Sequence, residues 1–76
     1  MEDMIRNIAM QLVDRPEKVE VNVVEGNQTI IVELQVAKED VGKIIGKQGR
    51  TADAMRTLLS AVGAKYRKRT VLEVIE

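Results

Sequence analysis

Two glycines, Gly46 and Gly49, interrupt a pattern of helix-forming residues past the middle of this chain. Apolar residues recur at helical spacing both before and after them, so two helices are expected to meet at this point. A glycine inside a helix costs about 1 kcal/mol relative to alanine. We call residues 46–49, Gly-Lys-Gln-Gly, the GKQG loop. The two glycines predict a tight corner whose main chain is bare at both ends.

An alternation of apolar and polar residues before this corner predicts two β-strands. A Gly-Asn pair at residues 26–27 divides them and suits a two-residue type II′ turn. Such a turn would set Val21 opposite Val32, and it would also set Glu20 opposite Glu33. The sequence therefore predicts an antiparallel hairpin with one apolar face.

The remaining segments have helical or extended patterns. A first helix should end before Pro16, which disfavours helical geometry in the preceding residue. After the hairpin, residues 41–45 predict one short helix, and the segment beyond the GKQG loop predicts a longer helix that stops at Gly63. Residues 67–76 are rich in β-branched and aliphatic side chains and predict a third strand.

This order of elements, α-β-β-α-α-β, predicts an α+β fold. Because two helices connect the second strand to the third, those strands are expected to be parallel, with a right-handed crossover. The hairpin and the crossover together make a three-stranded mixed sheet with three helices packed on one face. At 76 residues, the chain is expected to form one small domain.

A formal net charge of zero hides a separation of charge along the chain. Residues 41–70 carry eight Lys and Arg against one Asp, a net charge of +7, whereas residues 1–40 carry −5 and residues 71–76 carry −2. Such a separation can give one face a strong positive potential in a neutral molecule. The alternative is that these Lys and Arg side chains are simply solvated on the outer surfaces of helices and form no binding face. The location of the GKQG loop within the basic segment favours a positive binding face.

The composition excludes several kinds of chemistry. The chain has no Cys and no His, so it cannot form disulfides, thiolate metal sites or a thiol nucleophile, and no recognisable carboxylate pair suggests acid–base catalysis. We therefore expect no metal, no other cofactor and no enzyme activity. The acidic N-terminus has no apolar run of signal-peptide length, which predicts a cytoplasmic protein.

Two glycine-rich phosphate-binding motifs do not fit the GKQG loop. A nucleotide-hydrolysing phosphate loop needs G-x-x-x-x-G-K and then Ser or Thr, whereas Gln48 follows Lys47 and Val41 occupies the first glycine position. A dinucleotide-binding fingerprint needs G-x-G, but position 44 is isoleucine.

The remaining functional interpretation is contact with a sugar-phosphate backbone. Glycines permit close approach, the following helix offers N–H groups and the positive end of its dipole, and Lys47 adds charge. Either Ile44 or Val41 could provide an aliphatic floor for bases. The alternative is an ordinary turn between helices, which G-x-x-G alone would favour, but the element order and local charge favour nucleic acid. The candidate contact residues are Lys43, Ile44, Gly46, Lys47, Gln48, Gly49 and Arg50.

These residues also resemble a known family. IIGKQGRTADAM resembles the I-G-x-x-G signature of KH domains, whose loop clamps about four nucleotides of single-stranded RNA or DNA. The leading helix and hairpin resemble the type II, bacterial arrangement. VGKIIGKQGRTADAMRTLL, a basic stretch and VLEVI are similar to the small bacterial single-KH proteins of the KhpA family, over essentially the whole chain.

The resemblance implies a single type II KH domain over residues 1–76, with the GKQG loop as a clamp on single-stranded RNA and, as a further ligand, single-stranded DNA. It also implies an RNA chaperone or post-transcriptional regulator that acts as a homodimer or with a second KH-containing protein. With Tyr66 as the only aromatic residue, base stacking should add little and binding should depend strongly on salt. The rival interpretation is a protein-interaction module that uses Val24 and Ile31 on the outer face of the sheet.

Overall fold

Three helices and three strands follow one another in the predicted order, and the computed structural model describes all of residues 1–76. Short 3-10 turns precede the first strand, the second helix and the third helix. None of the helices has the length and apolar character that a membrane span requires. The α-β-β-α-α-β order and the α+β class are confirmed. The elements are α1 (Glu2–Leu12), β1 (Glu20–Glu25), β2 (Thr29–Gln35), α2 (Val41–Ile45), α3 (Arg50–Lys65) and β3 (Arg69–Ile75).

The sheet is mixed, with the strand order β1-β2-β3. β1 pairs with β2 in the antiparallel direction, and β2 pairs with β3 in the parallel direction, as predicted. The central strand alternates strictly, with Ile30, Val32 and Leu34 buried between more exposed neighbours. This alternation gives the sheet one covered face and one open face.

The core lies between the covered face and the helices. Ile5 and Ala9 of α1 and Met55 and Leu59 of α3 join the buried side chains of the sheet in one cluster. The three helices therefore pack on one face of the sheet, as predicted. The cluster consists of Ile5, Ala9, Val21, Ile30, Val32, Leu34, Val36, Ile44, Met55, Leu59 and Leu72.

The register of the hairpin differs from the prediction by two residues. Val21 lies opposite Leu34, not Val32, because the turn lies one residue further along the chain: Asn27 and Gln28 are at its centre, and the Gly26 N–H donates to the Thr29 carbonyl at 2.8 Å. Gly26 lacks the positive φ that a type II′ turn requires at its first central position. A shift of two residues leaves every side chain on its predicted face.

The predicted pairing of Glu20 with Glu33 is wrong for the same reason. In the observed register Glu33 lies opposite Asn22, whose Nδ2 donates a hydrogen bond to Oε1 of Glu33 at 2.9 Å. Glu20 lies opposite Gln35. The two strands of the hairpin therefore contain no directly opposed like charges.

Gly63 does not end the long helix, because α3 continues to Lys65. A Cβ at Gly63 would lie 2.6 Å from Cγ2 of Thr70 and 2.8 Å from the carbonyl oxygen of Lys68. The glycine is therefore needed for close packing of the helix against the start of β3. The chain leaves the helix after Lys65: Arg67 takes the left-handed conformation, with φ 55°, and the Lys68 N–H donates to the Gly63 carbonyl at 3.1 Å.

Candidate nucleic-acid interface

The GKQG loop is a corner with three residues at positive φ. The φ values are 77° for Gly46, 57° for Gln48 and 74° for Gly49. The Gly49 N–H donates to the Gly46 carbonyl at 3.1 Å, which closes a single 3-10 turn between α2 and α3. Of these three residues only Gln48 has a side chain, and that side chain is exposed to solvent.

Gly46 is required both by its φ and by the space around it. A Cβ at this position would lie 2.2 Å from Oγ1 and 2.7 Å from Cβ of Thr51, in the first turn of α3. Real Cβ atoms do not approach other heavy atoms so closely, so a side chain would push the loop away from α3. The glycine therefore holds the loop against the start of that helix.

Gly49 is required by its φ alone. No atom lies within 4 Å of the position that its Cβ would take, so this side of the main chain faces open space. Gly49 is also the N-cap residue of α3, and no side chain caps the helix there. The positive end of the α3 dipole therefore lies next to main chain that a ligand can approach.

Lys47 and Arg50 are exposed and have no carboxylate within 4 Å. Five of the ten other Lys and Arg residues are in ion pairs; for example, Arg6 pairs with Glu2 and Asp3, and Arg15 with Glu39. The charge at the GKQG loop is therefore not neutralised within the protein. The cations without an ion pair are Lys18, Lys38, Lys47, Arg50, Lys65, Arg67 and Arg69.

The basic segment is divided into two groups at opposite ends of α3. This helix has 16 residues and is about 24 Å long at 1.5 Å per residue. Among the basic residues that follow its C-terminal end, Lys68 forms an ion pair with Glu25 at 2.6 Å, whereas Arg67 and Arg69 are exposed and form no ion pair. The charge of +7 therefore does not form one patch around the loop.

Lys43, a predicted contact residue, differs from Lys47 and Arg50 because it pairs with two carboxylates. Its Nζ donates a hydrogen bond to Asp14 and lies 3.7 Å from Oδ1 of Asp40. The hydrogen bond that Nζ donates to Asp14, together with the negative charges of both acids, raises the pKa of Lys43 above its ordinary value. Its positive charge is thus already matched within the protein.

Asp40 is a structural residue that the sequence analysis did not identify. The residue is 1% exposed, and its carboxylate accepts the backbone N–H groups of Asp14 at 3.2 Å and Arg15 at 3.1 Å. An acid directly before α2 suggests a helix cap, but Asp40 makes no side-chain cap bond to that helix. It connects the segment after α1 to the helix that carries the GKQG loop.

Ile44 is fully buried in the core, and its side chain is not available to a ligand in this conformation. Val41 is partly buried and packs against the same core. The sequence left open which of the two side chains faces the core, and in the structure Ile44 is the fully buried one. The structure therefore brings residues 46–50 together at the surface and places Ile44 beneath them.

The one sizeable depression of the molecule, about 490 Å³, lies elsewhere. It is lined by residues of α1, β1, β2 and the end of β3, among them Arg6, Asn22 and Gln35. No residue of the GKQG loop lines it. The loop is therefore an open corner, which suits a strand lying across it better than a small molecule enclosed in a pocket.

The family model for the KH domain of KhpA/KhpB matches residues 2–74. The chain belongs to this family. Similar proteins, each named RNA-binding protein KhpA, occur in several bacteria. The protein of Caldanaerobacter subterraneus subsp. tengcongensis is 53% identical over 75 residues, with 99% of this chain and 100% of the relative covered.

Two further relatives are similar over essentially the whole chain. The protein of Clostridium acetobutylicum is 52% identical, with 99% of this chain and 100% of the relative covered. The protein of Aquifex aeolicus is 47% identical over 76 residues, with 100% of this chain and 96% of the relative covered. The predicted resemblance to the KhpA family is confirmed, and the observed order of helices and strands agrees with a KH fold.

Proposed function

We propose that this protein binds single-stranded RNA and that residues 1–76 act as a single KH domain. The observation that carries the proposal is the pair of unpaired cations, Lys47 and Arg50, beside the open main chain at Gly49. The family and the names of the relatives support RNA as the ligand. The GKQG loop would hold the sugar-phosphate backbone, and the bases would lie beside it.

Each residue of the loop has its own part in this binding. A phosphate next to Gly49 would meet the positive end of α3 and the charges of Lys47 and Arg50. Gly46 keeps the loop folded against α3, and Gln48 can donate hydrogen bonds from its amide. Lys43 and Ile44 support the loop from behind, the first through its ion pairs and the second through the core.

We further propose that the protein is not an enzyme and acts in the cytoplasm as an RNA chaperone or post-transcriptional regulator. A single corner with few contacts binds weakly, so a homodimer, or a heterodimer with a second KH-containing protein, would be advantageous. Two loops on one RNA would raise the avidity without any new contact in either subunit. Single-stranded DNA is a further ligand, since the loop is proposed to recognise phosphates.

The experiment that tests RNA binding replaces the two loop cations and measures the salt dependence. Fluorescence anisotropy with a labelled random-sequence single-stranded RNA compares the parent with the double variant Lys47→Gln and Arg50→Gln. Loss of two phosphate contacts should lower the slope of log K against log salt by about 1.4 and weaken binding about 25-fold at 0.1 M salt. The matched control is Lys18→Gln with Lys38→Gln, which removes two unpaired cations elsewhere.

The control should bind like the parent at every salt concentration. If the loop variant also binds like the parent, the loop is not the RNA clamp. If the parent itself binds no RNA at low salt, the domain is a protein-interaction module and the proposed function is wrong. Circular dichroism and thermal melting check that both variants are folded.

A further inference from the structure

The face of the sheet opposite the helices carries a row of aliphatic side chains. Val24, Ile31 and Val71 are neighbours across the three strands in the observed register. Val24 is 49% exposed, and Ile75 at the end of β3 is 37% exposed. We call the outward-pointing residues of the three strands the outer face: Glu20, Asn22, Val24, Thr29, Ile31, Glu33, Gln35, Arg69, Val71, Glu73 and Ile75.

Carboxylates without an ion pair are concentrated on this face. Seven of the twelve Asp and Glu residues form ion pairs, and none of those seven lies on the outer face. Three of the remaining five, Glu20, Glu33 and Glu73, do lie on it. Arg69, the only cation of the face, lies about 13 Å along β3 from Glu73, at 3.3 Å per residue.

Two of these acids are direct neighbours. Glu33 of β2 and Glu73 of β3 are paired in the parallel register, on the same side of the sheet, with no cation within 4 Å of either. Like charges in this position are destabilising. Asn22 donates one hydrogen bond to Glu33 but brings no charge. The isolated domain therefore keeps an unfavourable charge pair next to an exposed aliphatic row.

We propose that the outer face is the docking surface for a partner protein that presents a basic amphipathic helix. Aliphatic side chains of that helix would cover the row at Val24, Ile31 and Val71, and its Lys or Arg side chains would neutralise Glu33 and Glu73. Such a partner removes the exposed apolar surface and the charge repulsion together.

The same charges argue against two other occupants of the outer face, a second copy of this chain and RNA. A second copy stacked through the same face would bring Glu20, Glu33 and Glu73 of both copies together, and like charges across an interface are costly. RNA would set its phosphates against these carboxylates. Because the helices lie on the opposite face of the sheet, a partner on the outer face also leaves the GKQG loop free.

The test uses a synthetic helical peptide with Leu on one face and Lys on the other. It is titrated into the isotope-labelled full chain at low salt, and backbone amide shifts are followed by NMR. Expected shifts concentrate on β1, β2 and β3, and the amides of the GKQG loop should not move. Replacing the three acids (Glu20→Gln, Glu33→Gln, Glu73→Gln) should weaken binding about tenfold.

The matched control removes three acids elsewhere: Glu17→Gln, Glu39→Gln and Glu76→Gln. It should bind the peptide within twofold of the parent. A second readout needs no ligand, since Glu73→Gln alone should raise the urea midpoint of the isolated protein. The proposal is overturned if both triple variants lose affinity equally or if Glu73→Gln lowers the midpoint.

Two other occupants would also overturn it. If dilution of the protein alone moves the outer-face amides, the occupant is a second copy. If single-stranded RNA moves them, the face binds nucleic acid. Because neither result depends on the GKQG loop, this test can fail while the RNA clamp stands.

Discussion

Replacement of Asp40 by alanine should destabilise the protein far more than any other removal of an acidic side chain. Asp40 is 1% exposed, and its carboxylate accepts two backbone N–H groups, at 3.2 and 3.1 Å. A hydrogen bond to a charged acceptor contributes about 1.5–3 kcal/mol. The segment of Asp14 and Arg15 is only partly buried, so water can replace the carboxylate in part, and the lower end of the range applies to each bond. The expected loss is about 3 kcal/mol.

Urea unfolding followed by circular dichroism measures this loss. With a slope of about 1 kcal/mol per molar urea, typical of a small domain, the midpoint should fall by about 3 M. Asp40→Asn keeps one acceptor oxygen and should lose about half as much. The matched control is Glu39→Ala, which removes the neighbouring acid and an exposed ion pair with Arg15, for a cost below about 1 kcal/mol. If Asp40→Ala costs no more than Glu39→Ala, the two hydrogen bonds do not hold the segment and the reasoning is refuted.

Two further predictions concern the GKQG loop and Lys43. Gly49→Ala should lower the free energy of unfolding by about 1–2 kcal/mol from its positive φ alone, whereas Gly46→Ala should lower it clearly more because the new methyl group also overlaps Thr51. Urea midpoints compare the two variants, and equal losses of stability would show that the overlap relaxes freely. Since the folded-state pKa of Lys43 is raised, its contribution to stability is complete below pH 10.5 and is lost as the pH rises through the folded value. The difference in midpoint between the parent and Lys43→Met should therefore be constant at neutral pH and shrink above pH 10.5, and a difference that grows there would contradict the assignment.

The faces of the helices and strands were predictable because burial repeats with the period of each element. Ile30, Val32 and Leu34 alternate in sequence and are buried in the structure, and the spacing of Met55 and Leu59 places both on one side of α3. The hairpin register was not predictable in the same way. A turn that moves by one residue along the chain leaves every side chain on the same face, so the hydrophobic pattern cannot distinguish the two registers.

The contacts that depend on tertiary structure were also beyond the sequence. Gly63 reads as a helix stop, whereas its neighbour in space, Thr70, is what excludes a side chain there. The carboxylate of Asp40 binds main chain 25 and 26 residues away, and that pairing has no local signal. Within the candidate site, the glycines and exposed cations were predictable from type and spacing, but the engagement of Lys43 by acids on two segments was not.

The two unpaired cations of the GKQG loop and the three unpaired carboxylates of the outer face lie in different parts of the molecule, which has a consequence for encounters in solution. A neutral particle is not drawn toward a polyanion from afar, but one with cations at a corner and carboxylates on the far side experiences a torque in its field. Near a nucleic-acid strand the domain would turn its GKQG corner forward before contact, which raises the share of productive collisions. Since the Debye length is about 8 Å at physiological salt, this orientation acts only over the last few ångströms of approach.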